Sequence, residues 1–425
     1  MPREGSVAGM RRRAKSEAYS AKQGSPALVR RSARAACRTI LTTSLLVAAG
    51  CGESARTDIP VEPPASRRGV YPGISASLTI DADALDNYAD PFMPVHLRQL
   101  APLDNTPADN PITDAGATLG RVLFFDRQLS LRGTASCASC HLAAAGFGDT
   151  VRFSTGFAGQ QNLQAQSMRL LNLRFFKPGT GFWDRRAPSL EELGTAPIRD
   201  SVEMGFTSDV GGIDSLFRRM RTLPYYPELF MLAFGDSTIS DDRLRRALAQ
   251  YLRSLVSRDS RFDRAAAQAP VNTVTNRPAL RLPFGAFTAE ENRGKFLFLA
   301  TPTEGGVACF NCHTIPTFNL APGSTGNGLD AGETRRFRAP SLKSVATSRH
   351  FMHDGRFSSL EQVVEFYNSG IQESPVLDPR LRDAAGFPQR LRMASADKAA
   401  LVAFLSTLTD DVAETDPRYR TPFRH

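Results

Sequence analysis

Two short units, Cys-Ala-Ser-Cys-His at 137–141 and Cys-Phe-Asn-Cys-His at 309–313, constrain this chain more than any other feature. Each places two thiols with two residues between them and an imidazole directly behind. A zinc site would need the two pairs close in space, or further His at a second pair's spacing. A thioredoxin-type redox pair does not use the His and sits at a strand-to-helix junction. In the third reading both thiols add across the vinyl groups of a haem and the His turns back to ligate its iron, for which CxxCH is the attachment signature. Two such units in a chain that opens like an exported protein favour the third reading. Two covalent haem c groups are then held by Cys137, Cys140 and His141 and by Cys309, Cys312 and His313, with the two His as proximal iron ligands.

The export-like opening also explains the charge. Residues 1–50 carry ten Lys or Arg and two Glu, which is +8 of the formal +9. The rest of the chain is close to neutral with mixed signs, so no basic footprint for nucleic acid is present. The stretch "VRRSARAACRTILTTSLLVAAGC" (29–51) runs from arginines through a short apolar segment to small residues, the layout of a secretory signal. The apolar part is too short to span a bilayer. "AAGC" is similar to a lipobox, which makes Cys51 a lipidation candidate, with ordinary cleavage as the alternative. A periplasmic, lipid-anchored protein is therefore expected, with residues 1–51 as leader and 52–88 as a flexible tether. Cys37 falls in the leader, so every cysteine after Cys51 belongs to a CxxCH unit.

The repeat reaches beyond the cysteines. "LGRVLFFD" (119–126) precedes the first unit and "RGKFLFLA" (293–300) the second, with Gly120 and Gly294 at 17 and 15 residues before the first cysteine. Each half reads as an apolar helix leading into an attachment loop, and so as two cytochrome-c-like domains, 89–275 and 276–425, joined near 267–283. The class is all-α. "SDDRLRRALAQYLRSLVS" (240–257) puts Leu244, Ala247, Leu248, Tyr251, Leu252 and Leu255 on one face. Thr288 with Glu291 and Ser359 with Gln362 form capping boxes, and 397–408 reads as an amphipathic helix. Gly- and Pro-rich stretches such as 176–188 and 314–341 read as loops around the cofactors.

Four stretches, "LGRVLFFDRQLSLRGTASCASCH", "FWDRRAPSLEEL" (182–193), "APIRDSVEMGF" (196–206) and "RAPSLKSVATSRHFMHDGRFSSLEQVVEFY" (338–367), are similar to motifs of the bacterial dihaem cytochrome c peroxidase/MauG family. The resemblance runs from about residue 90 to the C-terminus. It implies that the N-terminal haem takes hydrogen peroxide, that the C-terminal haem is six-coordinate, and that a tryptophan lies between them. Carried over by position, that tryptophan is Trp183, the acid–base glutamate is Glu203, and Pro197 lines the same pocket. By residue type alone Trp183 is a core aromatic and Glu203 a surface acid. A desolvated carboxyl is suited to take the proton from one peroxide oxygen and deliver it to the other.

Departures from the pattern choose the branch. Many of these peroxidases carry a distal His in the loop matching 154–166, which here reads "STGFAGQQNLQAQ". The peroxide-binding haem is therefore expected to be open at rest. Where the peroxidases place a methionine as sixth ligand of the second haem, this chain has Tyr367, as MauG has a tyrosine. An anionic oxygen donor favours the higher oxidation states of iron. A packed core ring is the alternative for Tyr367, and Met393 or Met352 are substitute ligands. The family's pocket glutamine is Leu193, and its calcium donors, a side-chain amide and two main-chain carbonyls, fall on Gln166 and on Ser348 and His350. His353 is expected to face the inter-haem region. The expected protein is a dihaem enzyme acting on hydrogen peroxide and oxidising a partner protein. The alternatives are peroxide removal with electrons from a small cytochrome c or cupredoxin, and a non-catalytic electron carrier.

Overall fold

Thr288 and Glu291 cap each other's backbone and start the helix that leads into the second CxxCH unit, as their spacing predicts. The structure is a computed structural model that describes residues 70–177, 181–272, 277–411 and 415–424. The expected leader, Cys51 and the first part of the tether lie outside those residues. The helices run α1 (Pro72–Ser77), α2 (Val95–Arg98), α3 (Asp114–Phe125), α4 (Cys137–Cys140), α5 (Leu190–Arg199) and α6 (Gly212–Thr222). They continue as α7 (Tyr225–Phe234), α8 (Asp241–Ser254), α9 (Arg261–Ala267), α10 (Ala289–Leu299), α11 (Leu360–Glu365) and α12 (Ser395–Ser406). Two antiparallel ribbons, β1 (Val271–Asn272) with β2 (Arg277–Pro278) and β3 (His313–Thr314) with β4 (Asn319–Leu320), complete a mostly helical fold.

The two halves repeat one arrangement. α3 packs along α8, and α10 packs along α12. The crossing is close because each leading helix offers a glycine at the contact. A Cβ on Gly120 would run into the carbonyl oxygen of Ala247, and one on Gly294 into that of Ala400. Four residues on, Phe124 and Phe298 each bring a ring to 6.5 Å from the His of their unit. The apolar face expected on 240–257 is buried throughout, from Leu244 to Leu255.

Two expectations change. Residues 70–88 are not a tether: the Glu228 carboxylate accepts from the Gly73 and Ile74 amides, and Ile74, Leu78 and Tyr88 are buried against the first core. The join also does not divide the cores at residue 275. α9 places Phe262 and Ala266 in the second core, while Tyr419 and Phe423, near the C-terminus, return to the first. A buried ion cluster explains the first of these. Asp263 of α9 takes Lys343 Nζ at 2.5 Å and His96 Nε2 at 2.9 Å, tying α9 to the second half and to α2.

Candidate functional site: two CxxCH units and the groups between them

No disulfide joins Cys137, Cys140, Cys309 or Cys312. Burial pushes the Cys137 thiol up to about 12, Cys140 to about 11 and Cys309 to about 12, and raises Cys312 in the same direction. Redox pairs and zinc ligands work as thiolates, which these surroundings disfavour. Among the described residues the one close trio of metal-ligating groups is Asp330, Glu333 and His353, and neither CxxCH unit contributes to it. Both carboxylates of that trio are already paired, with Arg356 and Arg335. The zinc reading therefore has no geometry to rest on.

The imidazoles are set up as iron ligands. His141 Nδ1 bonds the Phe147 carbonyl at 2.9 Å, which leaves Nε2 as the free nitrogen and fixes the ring. Burial holds its pKa below the ordinary value, so the ring is neutral at pH 7. Burial likewise takes His313 down to about 4, with Arg169 and Arg380 adding to the shift against the Phe318 carbonyl. Phe147 and Phe318 both adopt left-handed backbone, with φ of 59° and 55°. A non-glycine residue there costs on the order of 1–3 kcal/mol, so both halves keep the same local strain behind the unit. The Phe147 carbonyl holds its His, while His313 Nδ1 has no hydrogen-bond partner. Two thiols beside an imidazole that burial keeps neutral, twice over, fit covalent haem c.

Glu203 lies on the first unit's side, close enough for its charge to raise both Cys137 and Cys140. The Asp200 carboxylate accepts from the amides of Val202 and Glu203 and folds the turn that carries it. Burial and then the Asp200 charge push Glu203 up to about 7, against Arg186 and a hydrogen bond from Asn162. That bond, Asn162 Nδ2 to Oε1 at 3.0 Å, comes from the loop that lacks a His. The loop is held to the Glu203 turn by its backbone as well, where Phe157 N donates to the Glu203 carbonyl at 3.0 Å. An open cleft of about 520 Å³, lined by Ser139, Phe157 and Arg132 among others, lies beside this unit. Pro197 falls inside α5, and Leu193 is buried beneath Gly181 in the first core. Sequence reasoning missed Asn162, since nothing in "GQQNLQAQ" singles it out.

Trp183 is half-buried, and its Nε1 donates to the Gln166 carbonyl at 2.7 Å. The Gln166 amide in turn donates to the His353 carbonyl at 2.9 Å. The His353 ring lies 6.4 Å from Trp183, edge on, and stacks on Phe337 at 3.9 Å. Trp183, Gln166 and His353 are thus neighbours. Gln166 and His350 both flank Gly355, which brings two of the expected calcium donors together. The third, Ser348, accepts from Arg169 Nη1 at 2.5 Å. That bond uses the Ser348 hydroxyl and leaves its main-chain carbonyl, the expected donor, untouched.

Near the second unit, Tyr367 sits in a π-helical turn, Phe366–Gly370, that continues α11. Such turns recur at functional sites because they push one residue out of the helical register. Burial drives the Tyr367 phenol up to about 12, with Asn327 bonding it and the Cys312 and Cys309 thiols close by. Asn327 also reaches Met352 Sδ at 3.6 Å, so Tyr367 and Met352 share one pocket, while Met393 lies with the second core. The Ser359 cap is present, but Gln362 bonds the Ser358 amide and so misses the reciprocal half of the box.

Residues 114–270 match the family model described as di-haem cytochrome c peroxidase. The chain is 32% identical over 323 residues to the methylamine utilization protein MauG of Methylorubrum extorquens, covering 72% of this chain and 82% of that one. It is 29% identical over 328 residues to the cytochrome c551 peroxidase of Nitrosomonas europaea, covering 72% and 82%. Among solved structures, a MauG-like protein associated with microbial copper homeostasis superposes with a TM-score of 0.59 at 27% identity, covering 75% of this chain and 96% of that one.

Proposed function

The chain belongs to the dihaem cytochrome c peroxidase/MauG family, and on that premise we propose a MauG-like enzyme that spends hydrogen peroxide on oxidising a partner protein. Two haem domains stand in tandem, one on Cys137, Cys140 and His141, the other on Cys309, Cys312 and His313. Bound haem c would supply the redox-active iron, and the chain supplies the rest.

Glu203 takes the proton of incoming peroxide and returns it to the departing oxygen. A carboxyl poised at about 7 is matched to both halves of that task. Asn162 holds Oε1, which leaves the other carboxylate oxygen to face the substrate. Trp183, fixed by the Gln166 carbonyl and flanked by His353, stands as the aromatic step between the two halves. Tyr367 would ligate the iron of the second haem, because a buried phenol becomes an anion only if a metal charge offsets the cost of burial.

The observation that carries this reading is Glu203, buried, pushed to about 7, and gripped by Asn162 from the loop in which no His is available. With no His in that loop and the loop bonded to the acid, the first haem would be open in the resting enzyme. The family's plain peroxidases would instead draw electrons from a small cytochrome c or cupredoxin. The MauG-like relative associated with copper homeostasis makes a copper-handling protein the first partner to try. We place the enzyme in the periplasm, lipid-anchored through Cys51.

Stopped-flow mixing of the as-isolated, fully oxidised protein with hydrogen peroxide tests this. The wild type reacts at once without added reductant, and Glu203→Gln slows the reaction by roughly 10²–10⁴-fold. A wild type that is inert until reduced would point to the plain peroxidase branch. One that is inert in every state would point to an electron carrier.

A further inference from the structure

Arg169 is a buried cation without an anion. Its residue is 8% exposed. Nη1 donates to Ser348 Oγ at 2.5 Å and Nη2 to the Ser341 carbonyl at 3.0 Å, while Nε makes no hydrogen bond. Among the described residues no carboxylate pairs with it, and burial alone pulls its pKa down to about 10. Guanidinium groups this deep are costly unless a charge meets them, so a buried arginine with an idle Nε marks where an anion belongs.

Its position says which anion. The Arg169 stem lies over the turn that follows His141: Cβ atoms on Gly146 and Gly148 would stand 3.2 and 2.9 Å from its Cδ and Cγ. That turn carries the Phe147 carbonyl bonded to His141. Met168, the preceding residue, bears on His141 through its backbone. At its other end the guanidinium is close enough to His313 for its charge to be felt there. Arg169 therefore stands between the two attachment units. The carboxylates that covalent haem brings into such a place are its propionates.

We propose that Arg169 is a haem-propionate site between the two CxxCH units, a fixed positive charge that raises the potential of the haem held by His313. This rests on the dihaem reading above. A bidentate guanidinium suits a carboxylate, and the two hydroxyl and carbonyl partners on Ser348 and Ser341 hold the fork in place. Loss of the charge stabilises the ferric form and lowers the potential.

The test compares wild type, Arg169→Gln and Arg169→Lys as purified holoproteins. A pyridine haemochrome count of two haem c per chain first establishes the dihaem reading on its own. Spectroelectrochemical titration then gives the potentials of both haems. The expected result is a lowered potential for the His313 haem in R169Q that R169K largely restores. Unchanged potentials in R169Q would overturn the proposal. So would a fall that R169K leaves in place, since that marks lost packing rather than lost charge. If R169Q does not mature, Ser348→Ala frees Nη1 while keeping the charge, and resonance Raman propionate bands should shift. Unshifted bands there would also overturn it.

Discussion

Glu203 and Asn162 lie 41 residues apart in the chain and meet at 3.0 Å, where the Asn162 amide tempers the upward push that burial and the Asp200 charge give the acid. Glu203 must be ionised to accept the peroxide proton, and its carboxyl titrates at about 7. The rate of the first peroxide step should therefore climb with pH through about 7. Asn162 donates to the charged form, so Asn162→Ala should move the midpoint of that climb upward while leaving haem attachment intact. A stopped-flow pH series on both proteins checks this. An N162A profile that overlays the wild type would remove Asn162 from the mechanism. The missing His of this loop is visible in the sequence because it is a residue type counted at a position. That an asparagine takes over the acid is not visible, because the pairing depends on how the 154–166 loop folds over the 200–204 turn.

At the scale of elements, the legible parts are those with local causes. The Thr288–Glu291 cap, the apolar face of α8 and the matching glycines before each CxxCH unit all follow from short-range spacing. The glycines prove to be the contact points at which α3 crosses α8 and α10 crosses α12. Gly294→Ala would force a methyl against the Ala400 carbonyl, an overpacking that costs about 1–3 kcal/mol or more. Thermal unfolding of G294A should show a clear loss, and an unchanged midpoint would mean the two helices can part freely. What was not legible has distant causes. α1 forms because Glu228 of α7 caps it, and residues 70–88 read as tether without that partner. The π turn at 366–370 breaks helical periodicity just where Tyr367 must leave the register. α9 looks like the tail of the first half until Asp263 is seen paired with Lys343.

Over the whole molecule, that cluster joins three distant segments, and its charges are buried. Burial would raise Asp263, but the Lys343 charge and the His96, Lys343 and Ser260 hydrogen bonds bring it down to about 2. A depressed acid contributes stability above its ordinary 3.8 and loses it as pH falls toward 2, so acid unfolding should set in across that window. Asp263→Ala leaves Lys343 buried without a counter-charge and should cost roughly 3–5 kcal/mol by denaturant titration. A cost near zero would mean the halves hold together by apolar contact alone. The central claim, however, is an unligated first haem beside Glu203 and a second haem closed by Tyr367. Low-temperature EPR of the as-isolated, fully oxidised protein reads both irons together. One high-spin and one low-spin ferric signal is the predicted result. Two low-spin signals would contradict it, because some residue would then close the first haem at rest and peroxide would have to wait for reduction.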